Sequence, residues 1–375
     1  MRRGFAIVFR LGIKELYSIL RDPVLMALIL YTFTGAVYTV ARGVQIELRN
    51  AAIALVDEDR SAISARIAGA FLPPYFQPVV LIGAETVDAG MDGGLYAFVL
   101  DIPPRFEADL LAGRRPVIQL NVDATAMTTA GNGARYVQAI IAAETAAFLD
   151  RGDGASTLPV KLIIRAKFNP NLDSGWFMAV MQVINNVTIL AIVLGGAAVI
   201  REREHGTIEH LMVMPVTAAE IVLAKVWANG LVILAAAMLS LWLVVGLALG
   251  VPINGSATLF AAGTGLYLFA VVSLGVLLST VATTMPQFGL LSIPVFVVMN
   301  LLSGGVTPLE SMPPALQNAV QALPSTHYIA FAQAVLHRGA GPEAVWPSLA
   351  AMAGLGAVFF ALALVRFRAA LAATA

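Results

Sequence analysis

Arg201-Glu-Arg-Glu-His-Gly-Thr-Ile-Glu-His210, continuing as Leu-Met-Val-Met-Pro215, is a dense charged cassette set between two long uncharged stretches. No Asp, Glu, Lys or Arg occurs from Ser174 to Ile200, nor from Val226 to Leu309. Charged side chains are costly in hydrocarbon, so both stretches belong in a bilayer and the cassette in water at its surface. Gly206 can adopt the left-handed conformation that ends the helix carrying Arg201 and Arg203. Thr207 can cap a short helix that Pro215 stops. On that helix Ile208, Leu211 and Met212 share a face, flanked by Glu204, Glu209 and His210. Such an apolar ridge suits a groove in another protein; the plainer reading is a charged loop that happens to be helical. Thr217-Ala-Ala-Glu220 then has the capping-box pattern that opens a further helix.

The composition agrees with a membrane protein. Hydrophobic residues make up 59% of the chain and charged residues 12%, with a mean hydropathy of +0.82, whereas soluble domains are ~25% charged. Lys+Arg and Asp+Glu both number 23, so net charge carries no sign of nucleic acid or of an acidic substrate. Their distribution is uneven: residues 42–173 hold 12 of the basic and 15 of the acidic side chains, which marks one soluble-like insert. The absence of Cys excludes disulfides, thiolate metal sites and Cys nucleophiles.

Arg2 and Arg3 with Thr39-Val-Ala41 loosely imitate a signal peptide. The apolar run from Pro23 to Ala41 has 19 residues, however, longer than the ~7–15 of a signal core, and reads as an uncleaved first span. Breaks at Gly250–Ser256 and Thr283–Gln287 divide the long uncharged stretch into three. Six spans follow, at 23–41, 176–200, 226–249, 258–282, 288–307 and 345–365. Arg2, Arg3, Arg10, Lys14 and Arg21 precede the first; Arg201, Arg203 and Lys225 lie between the second and third; Arg366 and Arg368 follow the sixth. The positive-inside rule therefore places both termini, 1–22 and 366–375, and the 201–215 loop in the cytoplasm, and residues 43–172 outside. Before the first span, Phe5, Phe9, Ile13, Leu16 and Leu20 recur at helical spacing opposite basic positions, the pattern of an interfacial helix meeting anionic lipid.

Within 43–172, Ala51–Val56, Tyr96–Leu100, Pro116–Val122 and Val160–Ile164 read as strands, and Ser61–Phe71 and Ala134–Phe148 as helices, a small α/β domain. Asp57, Glu58 and Asp59 could chelate a cation, but a solvated turn is the better reading. In 308–344, Pro313 and Pro314 suit the first turn of a helix, and Pro324 starts another reaching about Leu336. Both have the pattern of outward-facing re-entrant or interfacial helices.

Chemistry is sparse. His205 and His210 lack the spacing of a zinc helix, no lysine follows a phosphate-cradling glycine loop, and no Gly-x-Ser-x-Gly elbow occurs. The chain is expected to bind neither metal nor ATP and not to be an enzyme. Gln182, Asn185, Asn186, Asn300 and Ser303 lie inside spans, where they either pack helices or line a wet path. Met181, Asn185, Asn300 and Ser303 are the candidates for a substrate path along the second and fifth spans. No ionisable residue lies within a span, which disfavours a secondary transporter. Six spans with internal Asn, Gln and Pro disfavour a membrane-anchored sensor or structural protein.

The block Ile200-Arg-Glu-Arg-Glu-His-Gly-Thr-Ile-Glu-His-Leu-Met-Val-Met-Pro-Val-Thr-Ala-Ala-Glu-Ile-Val-Leu-Ala-Lys225 resembles the signature of ABC-2 type transporter permeases. Val56–Ser61, Ile102–Phe106 and Ser303–Pro314 are similar to segments of the inner-membrane branch with a large extracytoplasmic domain. The resemblance implies a type V exporter-like membrane subunit in the bacterial inner membrane. It would pair with itself or a sister permease and be driven by cytoplasmic ABC ATPase subunits that hold ATP and Mg2+. It implies that residues 1–22 are a connecting helix. The coupling helix would use Arg201, Glu202, Arg203, Glu204, Gly206, Thr207, Ile208, Glu209, His210, Leu211 and Met212. A periplasmic partner could meet the 43–172 domain.

Overall fold

Asp22 accepts hydrogen bonds from the backbone N–H groups of Val24 and Leu25, and Pro23 takes the first helical position, so one helix ends and another starts within three residues. The first, α1, is Arg2–Leu20; the second, α2, is Pro23–Phe33. After a break at Thr34, α3 runs from Gly35 to Gly43, and Pro23–Gly43 together are long and apolar enough to cross a bilayer. The computed structural model describes residues 2–43, 48, 50–123, 127–149, 174–204, 206 and 216–372. The chain forms two units, Val44–Ser174 and the remainder.

The inserted unit contains β1 (Ile53–Asp57), α4 (Ala62–Gly69), β2 (Val80–Leu81), α5 (Val87–Asp92), β3 (Phe98–Ile102), α6 (Phe106–Leu111), β4 (Gln119–Val122) and α7 (Met127–Leu149). Its sheet has the order β2-β1-β3-β4, with β4 antiparallel to β3 and the other pairs parallel. Side chains alternate across a strand, and here both faces are covered. Ile53, Leu55, Phe98 and Leu100 pack with Ile63, Ile67 and Val137, while Ala54, Val56 and Val99 pack with Val87 and Met91. Two-sided burial explains why β1 is a continuous apolar run.

The sequence places strands at 96–100 and 116–122; they are found at 98–102 and 119–122, and β2, α5 and α6 were not foreseen. The expected strand at Val160–Ile164 lies outside the described residues. Asp57 Oδ1 accepts from the N–H groups of Asp59 and Arg60, and Oδ2 from the Ser64 hydroxyl. Burial opposes ionisation of Asp59, but hydrogen bonds from Ser61 and from the backbone of Glu107, Phe106 and Arg105 hold its carboxyl below the usual range. Asp57 organises its own turn, and Asp59 ties that turn to the start of α6.

In the other unit the chain continues as α8 (Ser174–Glu204), α9 (Ala218–Ser240), α10 (Ala257–Val281), α11 (Met285–Leu301), α12 (Pro314–Val320), α13 (Pro324–Leu336) and α14 (Pro342–Ala372). A π-helical stretch, Leu241–Ala248, prolongs α9. Thr217 and Glu220 form the anticipated capping box: the Thr217 hydroxyl accepts from Glu220 N–H, and Glu220 Oε2 accepts from Thr217 N–H. Among the described residues five helices are long and apolar enough to span: Pro23–Gly43, Ser174–Glu204, Ala218–Ala248, Ala257–Val281 and Pro342–Ala369.

The fifth expected span, 288–307, corresponds to a shorter apolar helix, Met285–Leu301, of 17 residues. Thr284 caps it by accepting from Gln287 N–H, and the chain turns out of it at Leu302, before Gly304 at φ +86°. At ~1.5 Å per residue it is about 25 Å long, at the lower end of the ~17–25 residues with which a helix can cross a hydrocarbon core.

The core sits around α8, which packs closely on α10. A Cβ at Gly275 would lie 2.5 Å from the carbonyl oxygen of Ile192, and one at Gly195 3.0 Å from that of Val272. Small residues at such crossings are what let apolar helices gain contact where no water is displaced. α13 is buried as well: Tyr328 stacks on Tyr267 with ring centroids 3.9 Å apart, and their hydroxyls bond Thr264 and Thr188 respectively.

Candidate functional site

The end of α8 is where the sequence concentrates its charge, and each of four successive side chains there grips a different partner. Arg201 Nη1 lies 3.5 Å from Asp22 Oδ2, at the start of α2. Glu202 Oε2 lies 2.9 Å from Lys225 Nζ on α9, and its Oε1 lies 3.9 Å from Lys14 Nζ on α1. Arg203 Nη1 donates to the carbonyl oxygen of Ala282 at 2.6 Å, and Glu204 Oε1 accepts from the N–H of Met285 at 2.9 Å. Ala282 closes the carbonyl end of α10, and Met285 opens the amide end of α11. A cation at the first and an anion at the second both complement the helix dipoles.

Lys225 is the centre of this hub. It is 1% exposed, and its ammonium reaches Glu15 Oε1 at 2.8 Å, Glu202 Oε2 at 2.9 Å and the carbonyl oxygen of Ala198 at 3.2 Å. The ammonium donates to Glu15 and to the Ala198 carbonyl, and Glu202 adds a second carboxylate at ion-pair distance, the pairing under which a buried ammonium is tolerated. One turn of contacts further along, Trp227 Nε1 donates to the carbonyl oxygen of Val8 at 3.2 Å, and its ring stacks on Phe9. Gly12 lies beneath the indole, where a Cβ would come within 2.1 Å of the ring. Thus α1 is bound to α9 by a buried ion pair, a hydrogen bond and a close ring contact. Its Phe5, Phe9 and Leu20 stay exposed.

Of the coupling residues expected from the sequence, Arg201, Glu202, Arg203 and Glu204 thus face other parts of this unit. Gly206 has φ +65° just beyond α8, the left-handed conformation anticipated for it. Thr207, Ile208, Glu209, His210, Leu211 and Met212 lie outside the described residues, as does His205. Lys225 and Glu15 were not singled out as a pair. A signal existed: Glu15 is the single acidic residue of α1, and Lys225 is the last charge before the uncharged run to Leu309.

The four substrate-path candidates separate. Met181 is buried, with its sulfur 3.7 Å from Gln333 Nε2 of α13 and its methyl where a Cβ on Gly305 would sit. Ser303 is buried and shares a hydrogen bond with Ser325, also on α13. Asn185 and Asn300 are half-buried and have no hydrogen-bond partner among the described residues. Of the remaining intramembrane amides, Gln182 donates to Asn186 Oδ1 at 2.9 Å, and Asn186 donates to the carbonyl oxygen of Thr32 at 2.6 Å, which ties α8 to α2.

Residues 17–365 match the family described as "ABC-2 family transporter protein". The chain is 50% identical to the inner membrane transport permease YhhJ of Escherichia coli K12 over 361 residues, 96% of each chain. It is 29% identical over 342 residues to the "Probable multidrug ABC transporter permease YbhR" of the same organism, covering 90% of this chain and 91% of the relative. It is 25% identical over 345 residues, 88% of each chain, to the corresponding permease YbhS.

Proposed function

Since this chain belongs to the ABC-2 family of transporter proteins, we propose that it is the membrane permease subunit of an exporter driven by separate cytoplasmic ATPase subunits. Those subunits bind ATP and Mg2+; this chain supplies the translocation path, as one half of a homodimer or of a pair with a sister permease. The helix Met285–Leu301 completes six spans, both termini lie in the cytoplasm, and Val44–Ser174 lies outside, where it can meet substrate or a periplasmic partner.

The observation that carries this reading is the fastening of Arg201–Glu204 to four other places in the membrane unit. The segment that follows, through Thr207–Met212, is read as the coupling helix. A push delivered there by an ATPase would reach α2, α9, α10 and α11 directly, and α1 through Lys14 and through Lys225. That is the mechanical requirement of a machine whose energy arrives from outside the membrane, and no Asp, Glu, Lys or Arg lies in the runs Ser174–Ile200 and Val226–Leu309 to supply an ion relay instead. On this reading Met181, Asn185, Asn300 and Ser303 border the path, Asn185 and Asn300 with side chains available to a passing molecule.

The test is transport by the permease reconstituted in proteoliposomes with its ATPase. ATP-dependent accumulation that survives collapse of proton and sodium gradients is expected. Transport that follows an ion gradient and ignores ATP would replace this reading by secondary transport. A third result, ligand binding by the outer unit without any transport, would assign a sensor.

A further inference from the structure

We propose that a groove on α1 lined by Lys14, Tyr17, Ser18 and Arg21 binds the phosphate of an anionic phospholipid headgroup. Lys14, Tyr17 and Ser18 share one face of α1 at i, i+3 and i+4, and Arg21 follows at i+7 in the turn that ends the helix. They line a shallow pocket of about 360 Å3. The Arg21 guanidinium lies 5.6 Å over the Tyr17 ring, which holds the group in place while leaving its N–H edge available to an anion. Lys14 is 61% exposed, and the carboxylate nearest to it, Glu202, is already engaged by Lys225 at 2.9 Å. Ser18 adds a hydroxyl donor between the two cations.

The charges around the groove favour an anion. Lys14, Arg21, Arg201 and Lys225 stand against Glu15, Asp22 and Glu202, four positive against three negative. Each of the three carboxylates has a partner at the hub: Glu15 and Glu202 pair with Lys225, and Asp22 pairs with Arg201 and caps α2. Depth is set by the sequence. Arg21 stands two residues before Pro23, where the apolar span begins. A rise of ~1.5 Å per residue keeps 14–21 within the headgroup layer, where Tyr is enriched and a basic side chain gains from anionic lipid. A phosphate ester is the chemistry that a guanidinium, an ammonium and a hydroxyl recognise together. Its source is the leaflet rather than solution, because the groove opens beside the exposed apolar side chains of Tyr17 and Leu20. Bound there, the lipid would hold α1 in the position from which Glu15 reaches Lys225.

The experiment uses the full-length permease alone, so it is independent of any ATPase and of the transport reading. Lipid retained after purification from nanodiscs of phosphatidylglycerol and phosphatidylcholine is counted by native mass spectrometry. The wild type is expected to retain phosphatidylglycerol preferentially. Lys14→Gln/Arg21→Gln is expected to lose that preference by about tenfold, and Lys14→Arg/Arg21→Lys to keep it. Should the double variant fail to fold, Arg21→Gln carries the same reading, since Arg21 makes no ion pair among the described residues. Equal retention of phosphatidylglycerol by wild type and the charge-removed variants overturns the site. Displacement of the lipid by millimolar inorganic phosphate would show a soluble anion site instead and overturn the lipid assignment.

Discussion

Lys225 puts an ammonium where only 1% of it meets solvent, and that arrangement survives because Glu15, Glu202 and the Ala198 carbonyl all point at it. Taking away one member of such a group leaves the others charged and unsolvated, at a cost of about 3–5 kcal/mol when burial is complete. Lys225→Met should therefore lower the thermal midpoint of the purified permease by several degrees. Adding Glu15→Gln should restore part of the loss, because the orphaned carboxylate is neutralised. A thermal unfolding series on the two single variants and the double variant measures this. An unchanged midpoint for Lys225→Met would mean that the hub holds nothing together. The same residue shows the limit of sequence reading: a lysine at the start of an apolar helix announces that it needs a partner, but not which one.

At the scale of elements, the α8–α10 crossing depends on Gly275, whose missing side chain lets the Ile192 carbonyl approach to where a Cβ would be only 2.5 Å away. Gly275→Ala has no flexible neighbour to displace and should cost about 1–3 kcal/mol. Gly265→Ala on the same helix, where a Cβ would meet nothing within 4 Å, should be neutral or mildly stabilising. Comparing the folded yield of the two variants by gel filtration isolates the crossing from general helix propensity. The cassette helix makes a second element-scale prediction. If Ile208, Leu211 and Met212 seat in an ATPase groove, burying each is worth ~1.5–3 kcal/mol. Leu211→Asp should then weaken ATPase binding at least tenfold, since ~1.4 kcal/mol is a factor of ten. Membrane abundance should stay normal. Co-purification of the ATPase measures it, and full recovery with normal export would reduce the segment to a loop.

The whole-molecule prediction is topological. Reporter fusions after Arg42, within Ser61–Gly154 and near Gly305 should report the outer side, and fusions at His205, Met285 and Ala372 the cytoplasm. The short helix Met285–Leu301 is the decisive element, because five spans would put the two termini on opposite sides whereas six return the chain to where it began. A fusion at Ala372 that reports outside would show that this helix enters the membrane without crossing it.

The sequence by itself determined where the chain is apolar enough to cross a bilayer, where helices start and which residues form a separate unit. Those features rest on composition over ~20 residues or on contacts within one turn. The Asp22–Pro23 start, the Thr217–Glu220 box and the left-handed Gly206 could each be read locally for that reason. Short β2, α5 and α6 could not, because segments of two to six residues carry too little periodicity to stand out. Only the tertiary structure decided which charge meets which helix: Lys225 finds Glu15 across 210 residues, and Arg203 finds Ala282 across 79. It also decided that α13 lies buried against α10 by way of Tyr328 and Tyr267. The reason is physical. An ion pair or a ring stack depends on distance in space, and that distance is settled only when helices far apart in sequence have packed.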